Sequence, residues 1–250
     1  SGEAVLVTAT EFPKYFQSRD SARFWKNQLD IEEEKDLFLQ SKTAVKITDS
    51  CSGFKLVWRD TNTVRQIVST ALLQNNILYR ITALNDTLNT NSAFINEFFK
   101  SFTPYQTEAG TSVFTKKTDL FFKDLYSKDS LTKKKARAAI ANVYYGPDNI
   151  NRIHQFINAL KYGEEDYFEM KARFISELGY IDDSCCTDSV VRVLNDIYTR
   201  TADTSYFQNE AIWSLVNLKT KSSYNALKTL LLQDPPVFTD EDDYFSLFED

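Results

Sequence analysis

The sequence IHQFI at residues 153–157 returns, in its apolar pattern, as VVRVL at residues 190–194 and as LKTLL at residues 227–231. In each stretch the first, fourth and fifth residues are apolar, and successive stretches lie 37 residues apart. Apolar residues at spacings of three and four share one face of an α-helix. A unit that repeats along the chain cannot bury such a face alone and must stack on its neighbours. The repeat therefore predicts an array of stacked helices rather than a closed globule with an active-site cleft.

A further apolar helix precedes each of these stretches, so the repeating unit is a pair of helices. Its apolar positions are Ile140 with Val143, Ile175 with Leu178, and Ile212 with Leu215. Leu125 precedes Ile140 by 15 residues, and the same interval recurs between the later pairs. Residues 118–126 are therefore predicted to form an extra leading helix in front of three helix pairs.

Helix pairs of this length, with first helices such as Ala211-Ile212-Trp213-Ser214-Leu215, resemble HEAT repeats. The resemblance covers residues 112–236. It ends where Asp234-Pro235-Pro236 stops the last helix, because proline lacks an amide hydrogen and restricts the preceding residue. HEAT-like arrays are generally protein-binding scaffolds whose second helices often line the concave face. The resemblance thus implies an all-α HEAT-like solenoid with a protein partner.

Polar residues beside the apolar stripe of each second helix are the predicted contacts for that partner. The repeat sets these positions, because residues at matching places in each unit face the same way. In register they are Asn151, Gln155 and Asn158, then Asp188, Arg192 and Asn195, then Asn225 and Lys228.

The first hundred residues predict a sheet with helices packed on it. Strand-like runs occur at residues 4–10, 43–48, 54–59, 64–73 and 77–84. Short turns such as Asn75-Asn76 join consecutive runs, which predicts an antiparallel meander. Residues 13–29 predict a covering helix, and Asn91 or Ser92 can cap a second helix that ends before Pro104. The fold class is therefore α+β: an N-terminal antiparallel sheet with packed helices, followed by the all-α solenoid.

Short motifs of this first region are similar to small α/β sandwich modules of the PsbP and Mog1 kind. The residues are Gly53, Arg65, Asn76-x-Leu78-Tyr79 and Phe98-x-x-Ser101-Phe102, within a match over residues 4–103. Such modules are usually binding or assembly factors without catalytic residues. The resemblance implies an exported bacterial protein, periplasmic or in the cell envelope.

Composition and the positions of proline and glycine divide the chain into three parts. The sandwich module is predicted over residues 1–105 and the helical repeats over residues 112–236, with Pro104 and Gly110 at the boundary. Residues 237–250 are predicted to be an acidic tail or linker. With 42% hydrophobic and 26% charged residues, the chain reads as folded, and no apolar run approaches the roughly 20 residues of a transmembrane segment. The net charge of -6 argues against a nucleic-acid partner.

The sequence contains few residues of the types that act in catalysis, metal binding or phosphate binding. His154 is the single histidine, so a Ser-His-Asp or Cys-His site would have to include it. A zinc site would need to combine His154 with Cys51 and the adjacent Cys185 and Cys186, which is a poor spacing. Phosphate-binding glycine patterns are absent from the sequence. We therefore expect no cofactor, no metal and no catalytic residues.

Aromatic residues divide into two groups. Those on the apolar stripes, including Trp25, Trp58 and Trp213, are expected in the core. Others lie near the ends of helices, where aromatic side chains often anchor partners, and these are Tyr144, Tyr145, Tyr162 and Tyr180. The basic run Lys133 to Lys135 with Arg137 is expected to be a solvated helix face.

The sequence thus predicts a non-enzymatic protein-binding or scaffolding module with an unidentified partner. One alternative is a hydrolytic enzyme fragment that uses acidic residues where the two parts meet, first among them Glu32, Glu33, Glu34 and Asp36. Another alternative is a structural spacer within a larger exported protein. A buried, desolvated carboxylate at the junction would favour the enzyme.

Overall fold

The chain divides into two compact units, residues 1–117 and residues 118–250. The described part of the first unit holds an antiparallel sheet with helices, and that of the second unit holds helices. This order confirms the predicted α+β class. The computed structural model describes residues 4–29, 36–87, 92–104, 110–181 and 186–237.

Five strands form one antiparallel sheet in the described part of the first unit. They are β1 (Val5–Glu11), β2 (Leu37–Thr48), β3 (Cys51–Asp60), β4 (Arg65–Gln74) and β5 (Ile77–Asp86). The order β1-β5-β4-β3-β2 makes β2 to β5 consecutive neighbours, which confirms the predicted meander. Asn75 takes a φ of 55° in the turn between β4 and β5, a conformation that asparagine tolerates better than most residues.

Helices cover both faces of this sheet. Their bounds are α1 (Ser21–Leu29) and α2 (Ala93–Ser101). Phe24 of α1 packs in the same cluster as Leu73, whereas Phe98 of α2 packs against Leu72. Leu72 and Leu73 are successive residues of β4, so their side chains point to opposite faces. Cover on both faces explains why β4 is buried without interruption over residues 68–74.

The helix predicted over residues 13–29 is wrong in its first half, because α1 begins only after Asp20. The Asp20 carboxylate accepts hydrogen bonds from two N–H groups of the first turn at 2.8 and 3.0 Å, which caps the helix there. The preceding residues form a separate turn, in which the Phe16 N–H donates to the Pro13 carbonyl at 2.9 Å.

Ser92 caps α2, as the sequence predicts. Its hydroxyl accepts a hydrogen bond from the Ile95 N–H at 3.1 Å. Asn91, the alternative cap, lies outside the described residues. A side-chain cap at this position satisfies a backbone donor that the helix itself leaves unpaired.

The first unit extends to Lys117, five residues beyond the point where we place the start of the helical region. Val113 is fully buried in the cluster that contains Phe24. Its carbonyl accepts from the Ser18 N–H at 2.8 Å, and its N–H donates to the Asn75 carbonyl at 3.1 Å. Residues 112–117 therefore pack with the sheet.

Helices make up the regular structure of the second unit's described residues. They are α3 (Thr118–Leu125), α4 (Ser130–Ala138), α5 (Ile150–Ala159), α6 (Tyr167–Leu178), α7 (Thr187–Arg200), α8 (Ser205–Asn217) and α9 (Lys221–Gln233). α3 lies where the leading helix is predicted, and α9 ends just before Asp234. None of the helices within the described ranges combines the length and apolarity needed to cross a membrane.

The first apolar residue of each repeated stretch is buried in all three stretches. Ile153 of α5, Val190 of α7 and Leu227 of α9 are all buried. α5 contacts α7, α7 contacts α9, and α6 contacts α8. Consecutive helices from α5 to α8 are also in contact, so each of α5, α6 and α7 contacts both the next helix along the chain and the one after it. The fourth and fifth residues are buried in the first two stretches, whereas Leu230 and Leu231 of the third stretch are only half-buried.

The first predicted helix pair departs from regular geometry. Ile140 and Val143 were expected on one α-helix, but α4 ends before them and Ile140–Asn142 forms a 3-10 turn. Val143 follows in an extended conformation, and Gly146 with a φ of 67° and Pro147 precede α5. Ile140 is nevertheless fully buried. Ile140 is therefore a core residue, although its backbone forms a 3-10 turn and not the predicted α-helix.

α6 and α8 approach closely at Gly179. A Cβ atom added to Gly179 would lie 2.7 Å from the Cα atom of Ser214, which is closer than real contacts allow. The Ser214 hydroxyl donates to the Ile175 carbonyl at 2.9 Å. That carbonyl lacks the usual helical donor, because the Gly179 N–H donates to Ser176 instead. Glycine thus permits contact between the end of α6 and the backbone of α8.

Candidate protein-binding surface

The residues predicted to contact a partner lie on the second helices α5, α7 and α9. All except Asn195 are exposed, and Asn195 is half-buried. Contact of α7 with both α5 and α9 places the three rows on neighbouring helices. Their role in binding stays a prediction. The rows are Asn151, Gln155 and Asn158, then Asp188, Arg192 and Asn195, then Asn225 and Lys228.

His154 links α5 to α7. Its Nε2 atom lies 2.8 Å from Oδ2 of Asp196, and Arg200 donates from Nε to Oδ1 of the same carboxylate at 2.8 Å. The hydrogen bond from Arg200 is the main cause that lowers the pKa of Asp196, and the bond with His154 adds to it. Within the described ranges His154 bonds to no hydroxyl or thiol, so it lacks the nucleophile of a Ser-His-Asp or Cys-His site there.

Five aromatic side chains meet where α6 and α8 begin. We call this set the aromatic surface, and its members are Tyr162, Tyr167, Phe168, Tyr206 and Phe207. The rings of Phe168 and Phe207 stack with centroids 5.6 Å apart, and Tyr162 meets Phe168 edge-on at 6.0 Å. Phe207 is 1% exposed, whereas Tyr162 is 82%, Phe168 46% and Tyr206 49% exposed. Exposed rings thus rest on a buried aromatic base.

The aromatic surface arises from a Tyr-Phe pair that occurs twice. Tyr167-Phe168 begins α6, and Tyr206-Phe207 lies in the first turn of α8, 39 residues later. Because α6 and α8 pack side by side, the two pairs meet. Sequence reasoning identified only Tyr162 of this set. The signal it missed was the same aromatic pair at corresponding helix starts.

Lys171 places a positive charge against the aromatic surface. Its Nζ atom lies 4.6 Å from the ring centroid of Phe207 and 5.4 Å from that of Tyr167, within cation–π range. The same atom donates to the Tyr167 hydroxyl at 3.3 Å. No carboxylate in the described part of the chain forms a salt bridge with Lys171. Its charge is therefore available to an acidic ligand.

The other tyrosines predicted as anchors differ in exposure. Tyr180 is 63% exposed and Tyr144 is half-buried. For Tyr145 the prediction is wrong, because its side chain is buried and its hydroxyl donates to the Ile140 carbonyl at 2.9 Å. A phenol that is satisfied inside the unit presents no surface to a partner.

The basic face of α4 borders a groove of about 330 Å³ against α6. Arg137 donates to two carboxylates of the loop before α6 at 3.0 and 3.1 Å, and Arg173 donates to Glu169 at 2.6 Å. These contacts neutralise both arginines. Within the described ranges, by contrast, no salt bridge is formed by Lys133, Lys134 or Lys135.

Glu177 on α6 is desolvated. Burial raises the pKa of its carboxyl group to about 7. Burial also raises the pKa of Tyr145, and the charge of Glu177 adds to that shift. A desolvated carboxylate is what the hydrolytic alternative requires, but Glu177 is not among the acidic residues predicted for that role.

Of those acidic residues, only Asp36 belongs to the described part of the chain. It is exposed, and its carboxylate accepts a hydrogen bond from Asn62 Nδ2 at 2.8 Å. The three glutamates at residues 32–34 lie outside the described residues.

Glu177→Gln is expected to remove a pH dependence of stability. With a pKa of about 7 when folded against 4.5 as the ordinary value, the folded chain holds an extra proton between these values. The free energy of unfolding therefore falls as the pH rises through this window, by about 1–3 kcal/mol. Urea denaturation at pH 5 and pH 8 measures the difference. The control is Glu97→Gln, at an exposed residue of α2, which should keep the difference in unfolding free energy between the two pH values. If Glu177→Gln kept the same difference, the prediction would be contradicted.

The two described cysteines, Cys51 and Cys186, are both buried. Cys51 is a buried thiol without a disulfide, and burial raises its pKa. Cys186 is buried at the start of α7, and Cys185 lies outside the described residues. In the ranges that the structure describes, no group of three His, Cys, Asp or Glu side chains is arranged to hold a metal ion.

Comparison with protein-family models, with curated proteins and with solved structures gives no match for this chain. The likeness to HEAT repeats therefore depends on the apolar register and the helix pairs alone. The likeness to PsbP and Mog1 modules depends on the short motifs quoted above.

Proposed function

We propose that this protein is a non-enzymatic, exported protein-binding module. In this proposal the helices of the second unit form a HEAT-like array, and the sheet unit is a module of the PsbP and Mog1 kind. The observation that carries the proposal is the aromatic surface, with three exposed rings on a buried base. Exposed contiguous aromatic groups are typical of sites that bind other proteins.

The exposed rings are held in positions from which they can contribute to the affinity for a protein partner. Phe168 is held by its stack on Phe207, and Tyr162 by its edge contact with Phe168. A ring already held in place loses little conformational freedom when a partner covers it. The few interface residues that contribute about 2 kcal/mol or more to binding are enriched in aromatic side chains such as tyrosine.

Tyr206→Ala and Phe168→Ala are each expected to weaken retention of the protein partner by at least about tenfold, which corresponds to about 1.4 kcal/mol. The measurement is affinity capture from an extract of the native host with the intact chain as bait. Tyr224→Ala is the matched control, because Tyr224 is 44% exposed on α9 and takes no part in the ring contacts of the aromatic surface among the described residues. Equal retention by all three variants, or no retained protein, would remove the proposal.

The polar rows on the second helices form a separate arm of that experiment. Gln155→Ala combined with Arg192→Ala removes two exposed positions on neighbouring helices and leaves the aromatic surface intact. We expect this pair to weaken retention several-fold, as the HEAT-like reading predicts for second helices. Unchanged retention would restrict the binding site to the aromatic surface.

A further inference from the structure

We propose that the aromatic surface is covered by the chain's own C-terminal segment, residues 238–250. This inference rests on the proposed binding role of the surface and names its first occupant. The segment reads FTDEDDYFSLFED and carries six carboxylate side chains and no Lys or Arg. It also carries five large apolar residues, which are Phe238, Tyr244, Phe245, Leu247 and Phe248.

The described chain ends beside the aromatic surface. After α9 the Asp234 carbonyl accepts a hydrogen bond from the Tyr198 hydroxyl, and the Val237 carbonyl accepts one from Asn209 Nδ2 at 3.2 Å. Asn209 follows Tyr206 by three residues on α8, which is about 4.5 Å along the helix axis. The chain therefore leaves its described part within about one helical turn of the exposed rings.

The chemistry of the segment matches that of the surface. Its aromatic residues fit the exposed rings, and its carboxylates fit Lys171, which has no salt-bridge partner within the described ranges. Two acidic residues near Tyr206 oppose this match. Glu169 is already paired with Arg173 at 2.6 Å, and burial raises the pKa of Glu210, so both oppose it weakly.

The tether is long enough. Seven residues lead from Val237 to Tyr244, and an extended chain of that length spans up to about 25 Å. A ligand tethered in this way acts at an effective concentration in the millimolar range. Weak aromatic and ionic contacts therefore suffice to keep the surface covered.

The test places a photoreactive benzoylphenylalanine at position 206 of the full chain, where it keeps an aromatic ring. After irradiation, mass spectrometry is expected to find intramolecular adducts between position 206 and residues 238–250. Their yield should exceed that from the same group at position 224 by at least about tenfold. Tyr244→Ser, Phe245→Ser and Phe248→Ser together should lower the yield about tenfold, whereas the control Ser246→Ala should leave it unchanged.

Several results would overturn the inference. They are the absence of tail adducts at position 206, equal yields at positions 206 and 224, and adducts that join two copies in a mixture of isotope-labelled and unlabelled chains. Adducts to a protein of the host extract without tail adducts would likewise reject it, while the proposed function would stand. Tail adducts without any captured partner would support the inference and count against the proposed function.

Discussion

Phe174→Ala is expected to lower the free energy of unfolding by about 3–5 kcal/mol. Phe174 of α6 is fully buried, and its ring meets those of Phe121, Phe122, Tyr145 and Phe156 at centroid distances from 4.6 to 6.3 Å. Its removal leaves a cavity among rings contributed by α3, by α5 and by Tyr145, which precedes α5. Urea denaturation followed by circular dichroism measures the loss.

The matched control is Phe168→Ala, which makes the same substitution at an exposed position of the same helix. Its expected cost is below about 1 kcal/mol, because a partly exposed ring loses less buried area. If the two variants were equally stable, the aromatic cluster around Phe174 would not be the core of the helical unit.

Gly179→Val is expected to cost about 3 kcal/mol. The new side chain would meet the Cα and carbonyl oxygen of Ser214, and a backbone cannot yield as a flexible side chain does. α8 would have to move away from α6, which would also lengthen the 2.9 Å hydrogen bond from Ser214 to Ile175. Thermal or urea unfolding of the intact chain measures the effect.

The control for this variant is Ala159→Val, which adds a β-branched side chain at the exposed end of α5. Helix propensity alone makes that change cost less than about 1 kcal/mol. A Gly179→Val protein as stable as this control would show that α6 and α8 are not in close contact.

Side-chain periodicity explains what the sequence could predict of the fold. Ile153, Val190 and Leu227 repeat at one interval and are all buried on successive second helices. Local hydrogen bonding explains the errors, since the Asp20 cap starts α1 late and a 3-10 turn replaces a helix at Ile140. Periodicity shows which side chains are buried, but it does not show where a backbone changes its hydrogen-bond pattern.

Sequence reasoning missed the aromatic surface for a different reason. Tyr167-Phe168 and Tyr206-Phe207 are far apart in the chain, and they meet only because α6 lies against α8. Taken singly, neither pair shows which helix it will contact. Tyr145 shows the opposite error, because a tyrosine near a helix end is buried by neighbours from α3 and α6.

Spin labels at Gln155, Arg192 and Thr229 measure whether residues 37 apart occupy successive equivalent positions in a HEAT-like array. All three positions are exposed, and they lie on α5, α7 and α9. Packed helices are about 10 Å apart, so in such an array we expect equal distances for the two neighbouring pairs of labels and about twice that distance between positions 155 and 229. Three equal distances, as in a compact bundle, would contradict it.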